Sequence, residues 1–103
     1  MENQFSRTQM LIGHDAVERL KGCKVAVFGV GGVGGYAVEV LARSGVGGID
    51  VFDADTVNIT NLNRQVIALH STLEEAKVDV IEKRIKDINP TCMVGKYKIF
   101  YLP

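Results

Sequence analysis

Five glycines, Gly29, Gly31, Gly32, Gly34 and Gly35, fall within seven residues, directly after the apolar run Lys24-Val25-Ala26-Val27-Phe28. A stretch with so few side chains pays heavily in chain entropy, so it is found where the backbone path itself is required. Read as Gly29-x-Gly31-x-x-Gly34, the spacing matches a nucleotide-binding fingerprint. Its glycines serve a tight turn, close approach of backbone to phosphate, and close packing of a helix on a strand. The helix that follows points its unpaired N–H groups and the positive end of its dipole at any anion placed there. Glycine-rich turns also occur where nothing binds, so other residues must select the ligand.

The flanking pattern sets the fold class. Residues 24–29 form a short apolar run bounded by glycine, as expected for a strand covered on both faces. From Gly32 to Ser44 the apolar positions Val33, Ala37, Val40 and Leu41 recur at helical spacing, with Gly45 as the stop. Gly47 and Gly48 lead into a second strand, Ile49-Asp50-Val51-Phe52-Asp53, through a right-handed crossover. Thr72 with Glu75 reads as a capping box opening a helix to about Asn89, with Val78, Ile81, Ile85 and Ile88 inward. Asn89-Pro90 ends it. Residues 93–101 alternate as a third strand, in which Lys96 and Lys98 mark a partly exposed face or an edge.

The order β–α–β–loop–α–β is half of a doubly wound α/β sheet, a Rossmann-like half with parallel strand order 3-2-1 and its second half absent. Such a half leaves the first strand with an open edge. The chain therefore reads as a single N-terminal portion, residues 1–103, of a larger domain. A helical segment over 1–22 precedes the Rossmann-like half over 23–103.

In that N-terminal segment, Ser6 and Gln9 form a capping-box pattern, and Met10, Leu11 and Ile12 supply an apolar face until Gly13. Asp15 with Glu18 starts a second piece, with Ala16, Val17 and Leu20 inward until Gly22. Arg7 lies in a first turn, where the helix dipole disfavours a cation, so the pattern reads it as solvated. His14 reads as a loop residue.

Twelve basic and twelve acidic residues cancel, so net charge offers no argument for nucleic acid or membrane, leaving open a nucleic acid held by a local patch. Cys23 and Cys92 show no metal-ligand spacing and are expected as buried or half-buried free thiols. No apolar run approaches ~18 residues and the N-terminus is polar, so a cytoplasmic protein without a membrane span is expected.

Asp53 falls nineteen positions after Gly34, at the tip of the second strand. There a carboxylate can accept both ribose hydroxyls of a nucleotide lying along the glycine turn. The stretch 54–71 holds Asp55, Asn58, Asn61, Asn63, Arg64 and Gln65 without periodicity. A polar loop of that length in a compact domain is uncommon unless it works. Asparagines suit turns, but Arg64-Gln65 is hard to explain as turn chemistry. Lys77 lies off the apolar stripe and by pattern is a surface lysine.

A dehydrogenase has no need of an Asn/Arg-rich loop after the second strand. Nucleotidyl transfer from ATP does, because cations must neutralise charge building on the phosphates. No G-x-x-x-x-G-K-[ST] occurs, which removes P-loop kinases and ATPases.

Gly29-x-Gly31-Gly32-x-Gly34-Gly35, Leu41-Ala42-Arg43-Ser44-Gly45-Val46-Gly47, Asp53-Ala54-Asp55-Thr56-Val57, Thr60-Asn61-Leu62-Asn63-Arg64-Gln65 and Ala76-Lys77-Val78 together resemble the ThiF/MoeB/E1-like family of ATP-dependent adenylating enzymes. The resemblance covers essentially the whole chain. Within the family, these runs and the Asp87-Ile88-Asn89-Pro90 ending look most like the bacterial tRNA threonylcarbamoyladenosine dehydratases. That branch uses ATP to activate the threonyl carboxylate on a tRNA adenosine, which then cyclises with loss of water. A sister branch adenylates the C-terminal glycine of a ubiquitin-like sulfur carrier.

The resemblance implies that Gly29, Gly31, Gly32, Gly34, Asp53 and Asp55 line the ATP, with Asp53 on the ribose. It puts Arg64 and Lys77 on the triphosphate, and has Asn61 order the loop or the phosphates. Arg7 matches a family arginine that reaches the phosphates of the partner subunit in a homodimer. Arg64, Lys77 and Arg7 are thus the expected catalytic residues. The chain itself offers no metal site; the family's aspartate for Mg2+ would lie beyond residue 103, and the chain alone is not expected to complete the reaction. The alternative class is a nucleotide-binding or dimerising module without turnover.

Overall fold

The computed structural model describes residues 2–100. Helices α1 (Ser6–Ile12) and α2 (His14–Lys21) precede strand β1 (Lys24–Phe28), helix α3 (Gly32–Ser44), strand β2 (Gly48–Phe52), a long irregular segment, helix α4 (Lys77–Ile88) and strand β3 (Met93–Tyr97). The three strands are parallel in the order β1-β2-β3, with Phe28, Phe52 and Tyr97 in register at their C-terminal ends. This is the expected half of a doubly wound sheet.

One face of the sheet carries the core. Val30, Val38, Ala42, Ile49, Val51, Val78, Ile81, Ile85 and Cys92 are all nearly or fully buried between the sheet, α3 and α4. Right-handed crossovers that advance in one direction put both helices on the same side, and α3 packs against α4. The other face carries Ala26, exposed, and a stack of Phe28, Phe52 and Tyr97 with centroids 4.6 Å apart at each step. Strand β1 is therefore not covered on both faces as its apolar run suggested. Its burial alternates, with Val25 and Val27 turned toward the helices.

The phase of α3 also differs from the expectation. Gly35, Val38 and Ala42 face inward, while Val33, Ala37 and Val40 are exposed. The reason is close packing at the helix start. A Cβ on Gly34 would stand 1.7 Å from the Gly29 carbonyl oxygen, and one on Gly35 would stand 2.7 Å from that of Val30. The two glycines must face the turn, and this rotates the larger side chains away.

Capping differs as well. No side chain caps α1 at Phe5; instead Asn3 Oδ1 accepts the Phe5 N–H and Ser6 Oγ accepts the Asn3 N–H, each at 2.8 Å. Ser6 thus closes the box from its far end, three residues earlier than the pattern with Gln9 suggested. Met10, Leu11 and Ile12 are exposed. His14 opens α2 and is not in a loop, and Val17 is that helix's buried residue. Cys23 is exposed, whereas Cys92 is buried as expected. The third strand is shorter than 93–101, ending at Tyr97, and Tyr101 lies outside the described residues.

Glu39 joins α3 to α4. Its two oxygens accept from Arg84 Nε and Nη2, both at 3.0 Å, and Oε1 also accepts from Arg43 of its own helix. Hydrogen bonding from Arg84 is the chief cause holding the Glu39 carboxyl below its ordinary 4.5, and the Arg84 guanidinium is raised in turn.

Candidate nucleotide site

The glycine turn and the tip of β2 are one unit. Gly29 N–H extends the sheet by donating to the Phe52 carbonyl at 2.8 Å. One residue on, Val30 N–H donates to Asp53 Oδ2 at 2.9 Å, and the other carboxylate oxygen accepts the Asp55 N–H at 2.8 Å. Asp53 is 7% exposed, so the bond closing the turn is shielded from water. Each carboxylate oxygen keeps a second lone pair, which is what a ribose hydroxyl would need.

Gly29 and Gly32 have φ of 86° and 51°, the left-handed region where a side chain is strained. Gly34 allows the close approach described above. Gly31 is different: its φ of −89° suits any residue. A Cβ there would meet the Gln65 side-chain amide, with Oε1 at 2.7 Å and Nε2 at 2.8 Å.

Gln65 comes from the irregular segment, whose order rests on its asparagines. Asn61 is buried; its Oδ1 accepts the Asn58 N–H, and its carbonyl accepts the N–H groups of Arg64 and Gln65. Asn58 Oδ1 in turn accepts from Thr60 N–H and hydroxyl around a short 3-10 turn at Ile59–Asn61. Arg64 is exposed, with Nη1 donating to the Thr60 carbonyl and to Asn63 Oδ1, both at 2.9 Å. Its remaining guanidinium donors are available.

Lys77 reaches the same neighbourhood by a route that periodicity does not reveal. Thr72 does not cap α4. Its hydroxyl closes a separate 3-10 turn at His70–Thr72 by accepting the Leu69 N–H. The chain then runs antiparallel to residues 55–57: Thr56 bridges Ala76, Val57 N–H donates to the Glu75 carbonyl, and Lys77 N–H donates to the Asp55 carbonyl at 3.0 Å. Only then does α4 begin. Lys77 is its first residue and is 6% exposed, so the surface reading from its off-stripe position is overturned. No ion pair or side-chain hydrogen bond among the described residues engages its ammonium. A cation with its stem buried and its head unpaired is a natural anion partner.

A cleft of about 270 Å³ opens beside this unit, lined by Asp53, Ala54, Asp55, Ile99 and Phe100. A wider depression of about 540 Å³ lies elsewhere, against Gln4, Arg43, Arg84, Asp87 and Ile88, and its arginines are already committed to Glu39. Arg7 is exposed on α1 and enters no ion pair among the described residues. The structure thus joins Gly29, Gly31, Gly32, Gly34, Asp53, Asp55, Asn61, Arg64 and Lys77 through one connected set of turns, and Arg7 is not bonded into it. No group of His, Cys, Asp or Glu among the described residues has the makings of a metal site.

The model of the ThiF family matches residues 5–100. A Bacillus subtilis tRNA threonylcarbamoyladenosine dehydratase is 55% identical over 98% of this chain and 40% of its own length. A Thermus thermophilus sulfur carrier protein adenylyltransferase is 36% identical over 94% of this chain and 36% of its own length. The crystal structure of the Escherichia coli tRNA N6-threonylcarbamoyladenosine dehydratase in complex with ATP superposes with a TM-score of 0.94 at 41% identity, covering 97% of this chain and 41% of that one. The chain therefore spans about 40% of the length of the dehydratase relatives it matches.

Proposed function

The chain belongs to the ThiF family, and from that premise we propose that it is the ATP-holding part of an adenylating enzyme that activates a carboxylate. The observation that carries this reading is Lys77, its stem buried and its ammonium without a partner among the described residues, delivered to the tip of β2 by a backbone bond to Asp55. A dehydrogenase would have no use for it. The parts fit ATP: Asp53 offers lone pairs for the ribose, the glycine turn and the start of α3 offer N–H donors, and Arg64 and Lys77 offer positive charge for the triphosphate.

Adenylyl transfer needs the α-phosphate exposed to an attacking carboxylate oxygen, with the bond to the β-phosphate breaking as pyrophosphate leaves. The chain's contribution is to hold the nucleotide still and neutralise the charge that grows on the leaving phosphates. Lys77 suits the second task because its charge is not screened by a partner. Arg64, fixed through Nη1, presents its other donors in a planar fork. Asn61 keeps that fork in place by ordering the loop. Arg7, exposed and without an ion pair among the described residues, would serve the phosphates of a second subunit in a homodimer. Mg2+ bound with the nucleotide would add to the charge neutralisation that Arg64 and Lys77 offer the phosphates.

The substrate we favour is the threonylcarbamoyl carboxylate on a tRNA adenosine, which once adenylated would cyclise by expelling AMP, a net dehydration of the tRNA base driven by ATP, in the cytoplasm. Support comes from the 55% identity to the B. subtilis dehydratase, against 36% for the sulfur carrier adenylyltransferase. The test is ATP–pyrophosphate exchange by the chain, alone and mixed with the part of the B. subtilis dehydratase beyond the matched residues. Exchange that requires tRNA supports the dehydratase reading. Exchange that requires a carrier protein's C-terminal glycine moves the assignment to the sister branch. ATP binding without exchange in either setting leaves a nucleotide-binding module without turnover.

A further inference from the structure

Gln65 is the one residue whose side chain leaves a buried polar atom, Oε1, without a hydrogen-bond partner among the described residues. Such a group carries a desolvation cost and calls for an explanation. Its amide lies flat against Gly31, with Oε1, Cδ and Nε2 all within 2.8 Å of where a Cβ would stand. Exchanging the amide oxygen and nitrogen would leave this obstruction unchanged, since the two ends are equally close.

In a Gly-x-Gly-x-x-Gly turn the second glycine is bare so that the pyrophosphate of a dinucleotide can come against the backbone, on its way to a second nucleoside. Here the second glycine is Gly31, and that space holds Gln65. The turn keeps glycines of positive φ at 29 and 32 and the packing glycine at 34, yet the Gln65 amide stands over Gly31, where the fingerprint's second glycine is normally bare.

We infer that Gln65 is a specificity-determining residue that blocks the dinucleotide lane over Gly31, so that the turn accepts a nucleoside triphosphate and rejects nicotinamide dinucleotides. The inference rests on the ATP reading above. A mononucleotide needs only Asp53 and the turn for its nucleoside end. Its phosphates can run toward Arg64, the neighbour of Gln65 in the same loop, and toward Lys77. A dinucleotide must instead pass the amide. Gln65 is thereby a bulk effect on one ligand class, held in place by the backbone bond from Gln65 N–H to the Asn61 carbonyl at 2.9 Å.

Isothermal titration of ATP and of NAD+ into the wild-type chain, Gln65→Ala and Gln65→Leu tests this. The wild type is expected to prefer ATP. Gln65→Ala should narrow the ATP-over-NAD+ ratio roughly tenfold or more, the scale on which a shape-excluding pocket discriminates. Gln65→Leu, which keeps the bulk and loses the amide, should hold the wild-type ratio. An unchanged ratio in Gln65→Ala overturns the inference, as does an equal narrowing in Gln65→Leu. Failure of the ATP reading would show instead in the wild-type titration, as no binding of ATP, and would take this inference with it.

Discussion

Asp53 Oδ2 accepts the backbone N–H of Val30 at 2.9 Å, tying the end of the second strand to the turn after the first. Val30 is fully buried, so water cannot replace the bond. One carboxylate therefore shapes the glycine turn and, in the proposed function, receives the ribose.

Asp53→Ala should lose about 2 kcal/mol of stability, because it strands the N–H of Val30 in the core and frees that of Asp55. Asp53→Asn should lose about half as much, since an amide oxygen can still serve one of the two donors. Urea unfolding of both variants checks the order; equal loss would mean that the carboxylate does not organise the turn.

The glycines separate by what a Cβ would strike. Gly34→Ala meets the backbone carbonyl of Gly29, which cannot move without shifting α3 on β1, and should cost about 3 kcal/mol or fail to fold. Gly31→Ala meets only the far end of the Gln65 side chain and should cost about 1 kcal/mol. That smaller cost should vanish when Gln65→Ala is made in the same chain, and a thermal-melt double-mutant cycle measures the coupling.

Much of this architecture was legible before the structure. Period and glycine placement give the βαβ order, the strand order and the inward stripe of α4, because one buried face dominates each of those elements. The phase of α3 was not legible: Val33 and Val40 look like core, but backbone contacts at Gly34 and Gly35 decide which side faces in. Thr72 and Glu75 look like a helix start, yet pairing with residues 55–57, a non-local bond pattern, delays α4 to Lys77. The same pairing hides Lys77 from pattern reasoning, and only family resemblance singled it out. Gln65 carried a faint signal, standing beside Arg64 in a loop whose asparagines were explained by turns.

The Glu39 pair predicts a pH effect. Its carboxyl is depressed by Arg84 first, so folding favours the charged form. The stabilisation is complete above the ordinary value of 4.5 and is lost as pH falls through the lower folded value. Removing it should cost about 1 kcal/mol. Glu39→Gln should therefore melt below the wild type at neutral pH, with the gap closing as pH falls below the ordinary carboxyl value of 4.5; a gap independent of pH would mean packing, not charge, joins α3 to α4.

The central claim is that the turn, Asp53 and Lys77 form an ATP site, and Lys77→Met tests it while preserving the buried stem. Calorimetric titration of ATP should give saturable one-site binding to the wild type and at least roughly tenfold weaker binding to Lys77→Met, with the variant's melting temperature close to that of the wild type because the buried stem of Lys77 is kept. Equal ATP affinity in the two proteins, or no binding by the wild type, would contradict the account.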